Sequence, residues 1–445
     1  MTHSPDVLFV VLDSARKDRL STYGHDRETT PSLSALSETA TTYEQAYTPA
    51  PWTLPSHCSL FTGRYPTEHG VTNGFTDSMA RLPSGLPTLA ERLSEQGYRT
   101  AGFSNNPWVG QLTGLDRGFD EFVEWDLEVS RRDGADIHST RDDLYDRGHA
   151  LLGLAARTPV HLLKRRFFTD SLVTRASRWV GGPSTPTFTF LNVMEAHSPY
   201  YPPRRAFRQL GLQPPGPVEA RKLNLQLTAY VLGRASVDDV YDRVMEFYDA
   251  SVRFQDQQLG ELLAAMKEAG RFDDALIVVC ADHGKTLGEY DRGATPPHYL
   301  RKINTNVPLV VKYPGQTTAE RVETPVELTR LFELLVGDRE PSTLVDPDAP
   351  GALVEDHIPH TGRESTAVTR WRAFATADGT FAQNEAGDEF LLDTTGPDDA
   401  ATRRRYRDWL DARVGQLETA DWDEEEQAVV DGNVASQLED LGYLG

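Results

Sequence analysis

The sequence predicts an α/β protein with a large domain over residues 1–345 and a small C-terminal α+β domain over residues 346–445. Short apolar runs, typical of buried parallel strands, alternate with helical segments through the first part of the chain. After about residue 340, short runs punctuated by Gly and Asp replace that alternation and favour a small antiparallel sheet. A chain of 445 residues is also long enough for one large domain and a second, smaller one.

Four apolar runs predict strands of the large domain. Each is short and rich in Val, Ile, Leu or Phe, as expected of a strand buried on both faces. Between the second and third runs, residues 240–270 place apolar side chains at the spacing of an amphipathic helix. This alternation favours a mainly parallel central sheet with helices on both faces. The runs are DVLFVVLD (6–13), PTFTFLNV (186–193), DALIVVCADHG (274–284) and NVPLVVKYPG (306–315).

Shorter segments extend the pattern toward both ends of the chain. TPSLSALSETA (30–40) predicts a helix with a Thr-Pro start, and residues 85–104 predict a helix, a Gly-Tyr turn and a strand. In the C-terminal part, TFAQN (380–384) and DEFLLD (388–393) suit antiparallel strands, and residues 403–418 suit a helix.

The chain carries 67 acidic and 45 basic residues, a formal net charge of −22. A charge of that sign repels a phosphate backbone, so we predict no nucleic-acid partner. We interpret the excess as an acidic surface adapted to high salt, where repulsion is screened, and predict a halophilic archaeal source.

Residues 157–178 are basic, in contrast to the chain as a whole, with six basic residues and Asp170 as their one acid. They predict a helix whose basic side meets acidic neighbours, or a contact with an anionic substrate or lipid headgroup.

The N-terminal residues and the cysteines predict a cytoplasmic location. The chain passes from MTHSP directly into DVLFVVLD, a run too short to span a bilayer and without a basic lead, so we expect no signal peptide and no transmembrane segment. Cys58 and Cys280 give neither a disulfide framework nor a zinc-binding spacing. We interpret both as reduced thiols of the core.

Polar side chains follow two predicted strands and precede one helix. Asp13 ends the first run, and Asp282 and His283 end the third. Because ligands of doubly wound sheets bind at the carboxyl ends of the strands, we expect these groups to converge with Thr53 at one divalent-cation site. Thr53 lies just ahead of the helix that we expect Ser56 to cap, where the helix N-terminus favours an anion. The residues alone leave Thr53 open as a neighbour of the cap or as a nucleophile.

The order of many motifs resembles that of the sulfatases and their relatives in the alkaline phosphatase superfamily, over nearly the whole chain. The resemblance implies an alkaline-phosphatase-like fold and an enzyme that acts on sulfate or phosphate esters. The matching segments are FVVLDSARKDRLSTYG, TTPSLSALSETATTYEQAYTPAPWTLPSHCSLFTGRYPTEHG, LPTLAERLSEQGYRTAGFSNNP, GLDRGFDEF, MEAHSPYYPP, YDASVRFQDQQLGELLAAMKEAGRFDDALIVVCADHGKTLGEY, NVPLVVKYPG, GDEFLLDTTGPDD and LEDLGYLG.

Three positions depart from the family pattern. Sulfatases that use formylglycine carry Cys or Ser at the head of C-x-P-S-R, where this sequence reads Thr53-Leu54-Pro55-Ser56-His57. Threonine is not converted to formylglycine, and Cys58 lacks the flanking residues of the maturation signal. The paired Asp-Asp of those enzymes is Asp13-Ser14 here. The pattern looks more like nucleotide pyrophosphatases and lipoteichoic-acid-synthase-like phosphoglycerol transferases, whose threonine nucleophile lies beside metal-bound Asp and His.

The resemblance therefore implies that Thr53 is the nucleophile. It also implies that Asp13, Thr53, Asp282 and His283 bind one divalent cation, Ca, Mg, Mn or Zn. Because no clear Asp-x-x-x-His set accompanies MEAHSPYYPP, a second metal is not expected. His25 and His69 are interpreted as surface or packing residues.

Further residues fall where family members handle the anion. His197, His298 and Lys302 match groups that bind the anion or protonate the leaving oxygen, although His197 also suits loop packing and Lys302 an exposed position. Asn106 follows a predicted strand, where its amide can donate to the ester oxyanion. His57 replaces the motif arginine and retains an anion contact if it is protonated.

We predict a metal-dependent hydrolase or transferase of a small-molecule, glycan-linked or lipid-linked anionic ester. Two alternatives stay open for the substrate, a sulfate ester and a phosphate ester. A different class of function also stays open: a catalytically silent relative that binds anionic glycans or acts as a scaffold. Retention of acidic residues at two strand ends argues for the enzyme, because a scaffold has no need of buried charges there.

Overall fold

The computed structural model describes residues 4–72, 78–124, 169–182, 186–231, 235–289, 300–337, 339–357, 370–419 and 427–429. Strands alternate with helices through most of this part of the chain. The strands are β1 (Val7–Leu12), β2 (Thr41–Tyr47), β3 (Ser78–Ala80), β4 (Arg99–Ser104), β5 (Glu121–Glu124), β6 (Thr187–Val193), β7 (Leu276–Cys280), β8 (Asn306–Lys312), β9 (Glu320–Val322), β10 (Val326–Glu327), β11 (Ala352–Asp356), β12 (Trp371–Ala375), β13 (Thr380–Asn384), β14 (Glu389–Leu392) and β15 (Gln427–Val429). The helices are α1 (Pro31–Ser37), α2 (Thr53–Thr62), α3 (Pro66–His69), α4 (Leu89–Glu95), α5 (169–180), α6 (Arg204–Gln209), α7 (Pro217–Val231), α8 (Tyr241–Glu268), α9 (Lys302–Thr305), α10 (Leu331–Val336), α11 (Pro341–Leu344) and α12 (Ala400–Val414).

The described residues form a large sheet in the order β10-β2-β8-β7-β1-β6-β4-β5, with β9 beside β2. Strand β1 lies in the interior of this sheet and pairs in parallel with β6 and β7. Strand β8 is antiparallel to both of its neighbours, β7 and β2. The prediction of a mainly parallel central sheet flanked by helices is confirmed.

The apolar runs form strands because the sheet buries them on both faces. All six residues of β1 are buried, and Phe9 packs against Phe190 of β6 with ring centroids 5.6 Å apart. Phe61 of α2 meets the same Phe190 edge to face at 4.9 Å. Helix α2 is thereby fixed against the sheet, beside the strand ends that carry the polar residues.

The C-terminal part contains the small antiparallel sheet that the sequence predicts, in the order β11-β12-β13-β14. Helix α12 packs on it through Trp409, whose ring centroid lies 5.8 Å from that of Phe374. Strand β11 also contacts the large sheet's loops, since the Glu355 amide donates to the Pro49 carbonyl at 2.9 Å. The division of the chain at residue 345 stays a prediction.

Helix α2 begins earlier than the sequence predicts, and the expectation that Ser56 caps it is wrong. Thr53 is the first helical residue, and Trp52 precedes it without a side-chain capping bond. Ser56 lies inside the first turns, where its hydroxyl donates to the Asp282 carbonyl at 2.8 Å. The helix can include Pro55 because the N–H that proline lacks has no intrahelical partner in the first turn.

Candidate active site

Asp13 and Asp282 lie side by side at the carboxyl ends of two neighbouring strands. Asp13 directly follows β1, and Asp282 follows β7, the parallel neighbour of β1. Both side chains are fully buried. Together with His283 they offer three ligand atoms that lie within 4.8 Å of one another. The structure therefore brings together three of the four predicted metal ligands as one cluster.

The two carboxylates have no cationic partner among the described Lys and Arg residues. Burial raises the pKa of Asp13, and the neighbouring Asp282 carboxylate raises it further. Asp282 Oδ2 is buried without a hydrogen bond and lies 3.4 Å from His283 Nε2. Because two buried like charges are costly unless a cation neutralises them, this donor set fits a divalent metal ion.

The imidazole of His283 is oriented by its own loop. His283 Nδ1 donates to the Gly284 carbonyl at 2.6 Å, which leaves the Nε2 lone pair directed into the cluster. The Gly284 amide donates in turn to the Asn304 carbonyl at 2.8 Å. A Cβ at Gly284 would lie 1.9 Å from the Ile303 carbonyl oxygen, so only glycine permits this close approach.

Thr53 completes the cluster from the helix side. Its side chain is 2 % exposed, and Oγ1 lies 3.3 Å from His283 Nε2, within hydrogen-bonding distance. As the first residue of α2, Thr53 lies among backbone N–H groups that attract an anion. The arrangement gathers a hydroxyl, an imidazole and two carboxylates at one helix N-terminus.

Two asparagines contact Asp13, Asn192 of the neighbouring strand β6 and Asn106 of the loop after β4. Asn106 Nδ2 donates to Asp13 Oδ2 at 2.6 Å, and Asn192 Nδ2 lies 3.5 Å from the same oxygen. The sequence predicts Asn106 as a substrate-binding amide, and the structure gives its amide this contact with a carboxylate of the candidate metal cluster. A role toward substrate stays a prediction.

Helix α8 supplies two supporting residues that sequence reasoning missed. The Tyr248 hydroxyl donates to the Ser14 carbonyl and accepts from the Arg16 amide, each at 2.7 Å. Gln255 Nε2 donates to the Asp13 carbonyl at 3.0 Å. The two residues lie seven positions apart, hence on one face of the helix, and are buried among apolar side chains. The sequence signal that could have identified them is the presence of polar side chains on the apolar face of a predicted helix.

The remaining predicted residues are less closely tied to the cluster. His197 is buried, and its Nδ1 donates to the Ser198 carbonyl at 2.6 Å, while Ser198 Oγ accepts from Lys285 at 2.8 Å. Lys302 donates from Nζ to the Ala377 carbonyl, and burial lowers its pKa. His298 lies outside the described residues. The roles of all three in handling the anion stay predictions.

A family model described as Sulfatase matches residues 5–337, about three quarters of the chain. This match spans the central sheet and every residue of the cluster. The chain belongs to the sulfatase family. That membership places it in the alkaline-phosphatase-like superfamily of ester hydrolases, whose sulfatase members generally use a divalent metal, and the cluster supplies the donors for one.

Two curated sulfatases and one solved structure illustrate the relationship. The chain is 24 % identical to a sulfatase of Formosa agariphila, with 75 % of this chain and 68 % of the relative aligned. It is 23 % identical to a choline-sulfatase of Rhizobium meliloti, with 71 % of this chain and 64 % of the relative aligned. The fold matches the crystal structure of the phosphonate monoester hydrolase of Agrobacterium radiobacter with a TM-score of 0.68 at 19 % identity, covering 93 % of this chain and 96 % of that one.

In this member of the sulfatase family, the histidine that replaces the motif arginine is fully buried. His57 Nδ1 donates to the Thr53 carbonyl at 2.9 Å and lies 3.6 Å from Asp282 Oδ2. Its Nε2 is buried without a hydrogen bond, and its ring meets Phe190 edge to face. His57 thus supports the start of α2 and lies beside the Asp282 carboxylate without a hydrogen bond to it; its anion contact stays a prediction.

Part of the basic segment 157–178 falls within the described residues, where residues 169–178 are the first ten of the twelve residues of α5. Arg175 and Arg178 line a surface cavity with Arg99, Trp179 and Glu121. The Arg99 guanidinium lies 4.8 Å from the centroid of a Trp179 ring. Glu121 is the acidic residue of this lining. Residues 157–168 lie outside the described part, and both interpretations of the segment stay predictions. Among the described residues, no helix combines the length and apolar character needed to cross a membrane.

Proposed function

We propose that this sulfatase-family protein cleaves a sulfate or phosphate ester through a covalent intermediate on Thr53, at a site that holds one divalent cation. The observation that carries the proposal is the position of Thr53 Oγ1, 3.3 Å from His283 Nε2 and buried at the N-terminus of α2 beside Asp13 and Asp282. A bound cation would lower the pKa of the hydroxyl and offset the charge of the transferred group.

The chain's own residues supply the rest of the reaction. The Thr53 hydroxyl loses its proton to solvent, and its oxygen forms a bond to sulfur or phosphorus as the bond to the leaving alcohol oxygen breaks. The N–H groups at the start of α2 stabilise charge on the transferred group. By family resemblance we assign anion contacts and protonation of the leaving oxygen to His197, His298 and Lys302. Water, or an acceptor alcohol in a transferase, then attacks the Thr53 ester and restores the hydroxyl.

The buried charges favour an enzyme over a silent scaffold. Asp13 and Asp282 are fully buried next to each other, and Asp282 Oδ2 makes no hydrogen bond. A scaffold gains nothing from this arrangement and would be more stable with neutral or apolar side chains there. The orientation of His283 by Gly284 likewise serves a ligand at Nε2.

Replacement of Thr53 tests the proposal directly. Thr53→Ala should lower turnover by about 10³-fold or more while metal binding and folding persist, because the attacking oxygen is lost. Thr53→Ser should retain part of the activity, since it keeps the hydroxyl and loses the methyl group that restricts its rotamer. The assay uses aryl phosphate, phosphonate, phosphodiester and sulfate esters with each of several divalent metals at high salt.

Thr62→Ala is the matched control, because Thr62 lies at the other end of α2 and its hydroxyl donates to the Cys58 carbonyl. This variant should keep wild-type turnover. An acid-quenched sample should carry a phospho or sulfo group on Thr53, which mass spectrometry distinguishes and which identifies the ester class. Full activity in Thr53→Ala would refute the nucleophile, and inactivity of the wild type on every ester and metal would favour the scaffold.

A further inference from the structure

Ser14 adopts a backbone conformation that serine rarely adopts. Its φ is +59°, in the left-handed region, and its side chain is fully buried. Such a conformation costs free energy in a residue with a Cβ and persists only where neighbouring contacts enforce it. The position directly follows Asp13, at the point where the formylglycine-dependent sulfatases carry a second carboxylate.

The two donors of Ser14 reach both carboxylates of the metal cluster. The Ser14 amide donates to Asp282 Oδ1 at 2.9 Å, and the hydroxyl donates to Asp13 Oδ1 at 2.8 Å. These carboxylates follow different strands, so Ser14 ties the ends of β1 and β7 together. Hydrogen bonds to ionised acceptors are the strong ones, and they fix where the remaining carboxylate oxygens point.

Helix α8 holds the backbone around Ser14 in this conformation. The Tyr248 hydroxyl bridges the Ser14 carbonyl and the Arg16 amide, both at 2.7 Å. Gln255 Nε2 donates to the carbonyl of Asp13, on the other side. The turn is therefore held from a separate element, through bonds to the backbone that do not involve the serine hydroxyl.

We propose that Ser14 is a positioning residue that sets the metal preference of the site. It donates hydrogen bonds to the carboxylates of Asp13 and Asp282, at the position where formylglycine-dependent sulfatases carry one more carboxylate. The proposal rests on the proposed function, since it assumes that Asp13, Asp282 and His283 bind the cation. Ca²⁺ takes six to eight oxygen ligands, whereas Zn²⁺ accepts a small set that includes imidazole. A serine donor in place of a ligand oxygen disfavours Ca²⁺ relative to Zn²⁺.

Metal titrations of two Ser14 variants test the proposal. Ser14→Gly keeps the left-handed backbone and its amide donor but lacks the hydroxyl, so affinity for Zn²⁺ and for Ca²⁺ should each fall about 10- to 100-fold. Ser14→Asp adds a carboxylate, so the ratio of Zn²⁺ affinity to Ca²⁺ affinity should fall at least about 10-fold from the wild-type value. Calorimetric or competition titrations of the metal-free chain give both affinities, and its thermal unfolding shows that each variant folds.

Ser251→Ala is the matched control, because Ser251 is a buried serine of α8 whose hydroxyl makes no hydrogen bond. It should bind both metals as the wild type does. Unchanged affinities in Ser14→Gly, or an unchanged ratio in Ser14→Asp, would overturn the proposal. Asp282→Asn in the same titrations distinguishes failure of the Ser14 proposal from failure of the proposed function. If Asp282→Asn also binds metal normally, the proposed function itself fails.

Discussion

Two groups of buried acidic residues are treated in opposite ways by this fold. Asp249 of α8 is fully buried and receives Arg19 Nη2 and Arg27 Nη1, each at 2.6 Å, with His25 at 3.4 Å. Burial alone would raise the pKa of Asp249, but the contacts from His25 and the two arginines outweigh it and hold that pKa below its usual value. Asp13 and Asp282 are buried as deeply, and no described arginine or lysine pairs with them.

The contrast shows which carboxylates the protein itself neutralises. Arginines from the loop before α1 compensate Asp249 within the chain, so its charge belongs to the stability of the fold. The pair at the strand ends is left with a raised pKa at Asp13 and an unbonded oxygen at Asp282. Among the described residues with basic side chains, only the imidazoles of His57 and His283 lie near these carboxylates, so the pair meets the requirement for a cation site.

Replacing one acid from each group should separate stability from metal binding. Asp249→Asn removes the carboxylate that compensates the partly exposed guanidinium groups of Arg19 and Arg27, so we expect the free energy of unfolding to fall by about 1–3 kcal/mol. Asp282→Asn removes one of two adjacent like charges and a ligand. It should lower metal affinity by more than about 100-fold and leave the metal-free chain as stable as before, or more stable.

Urea unfolding in the presence of a chelator gives the first quantity, and calorimetric metal titration gives the second. Normal metal affinity in Asp282→Asn would contradict the distinction between Asp249, which the chain itself compensates, and the pair Asp13 and Asp282, which we expect to bind a cation. A large loss of metal-free stability in that variant would show that the chain relies on Asp282 as it does on Asp249.

Asp256 of α8 is intermediate between these two groups, because backbone amides compensate its buried carboxylate only in part. Its raised pKa can be tested by varying the pH. Burial raises its pKa to about 6, although the Ser32 and Leu33 amides donate to it at 2.9 Å. Because the folded pKa exceeds that of the unfolded chain, ionisation of Asp256 destabilises the fold above pH 6, and the penalty disappears as the pH falls toward 4. The penalty at neutral pH is on the order of 2 kcal/mol.

Asp256→Asn cannot ionise, so its stability relative to the wild type should be greatest at pH 7–8 and should shrink as the pH is lowered to 4.5. Denaturant unfolding across this range measures the difference. Asp239→Asn, an exposed replacement ahead of the same helix, should show little of this trend. A relative stability of Asp256→Asn that does not vary with pH would contradict the raised pKa.

The exposed acidic residues belong to neither buried group, and screening their charges with salt should change stability less than the substitutions above. With a net charge of −22, repulsion across the surface opposes folding, and added salt screens it. The melting temperature should rise by several degrees between about 0.1 M and 1 M KCl. Scanning calorimetry in KCl is preferable to sulfate, because sulfate also strengthens apolar burial. A melting temperature that falls with KCl would refute the interpretation of an acidic surface adapted to salt.

The sequence predicted those strands whose residues are buried on both faces of the sheet. The apolar runs around Phe9 and Val278 predicted strands because residues buried on both faces leave a continuous hydrophobic signal. No strand was predicted for TTYEQAY, which forms β2, because Glu44 and Gln45 interrupt its apolar pattern. Its buried Thr41 and Thr42 give no hydrophobic signal either, although threonine suits a strand.

The clustering of the candidate ligands could be predicted from the sequence, but the residues that support them could not. Asp13, Asp282 and His283 follow apolar runs directly, so the rule that strand ends share one edge of the sheet located them. Tyr248 and Gln255 reach the same edge only because α8 crosses the sheet there, and that packing arises from contacts more than two hundred positions apart. The left-handed φ of Ser14 likewise depends on this crossing and leaves no local pattern.

The interior position of β1 also has a consequence for synthesis on the ribosome. Its sheet partners are β6 and β7, and β6 begins at Thr187, 175 positions after Leu12. At about 5–20 residues per second, the ribosome needs roughly 10 to 35 s to cover that distance. During this interval VLFVVL has no neighbouring strand, and its uninterrupted apolar surface is open to any other extended chain. Nascent copies of the protein therefore need protection of this hexapeptide, by a chaperone or by transient local contacts, until the second half of the sheet emerges.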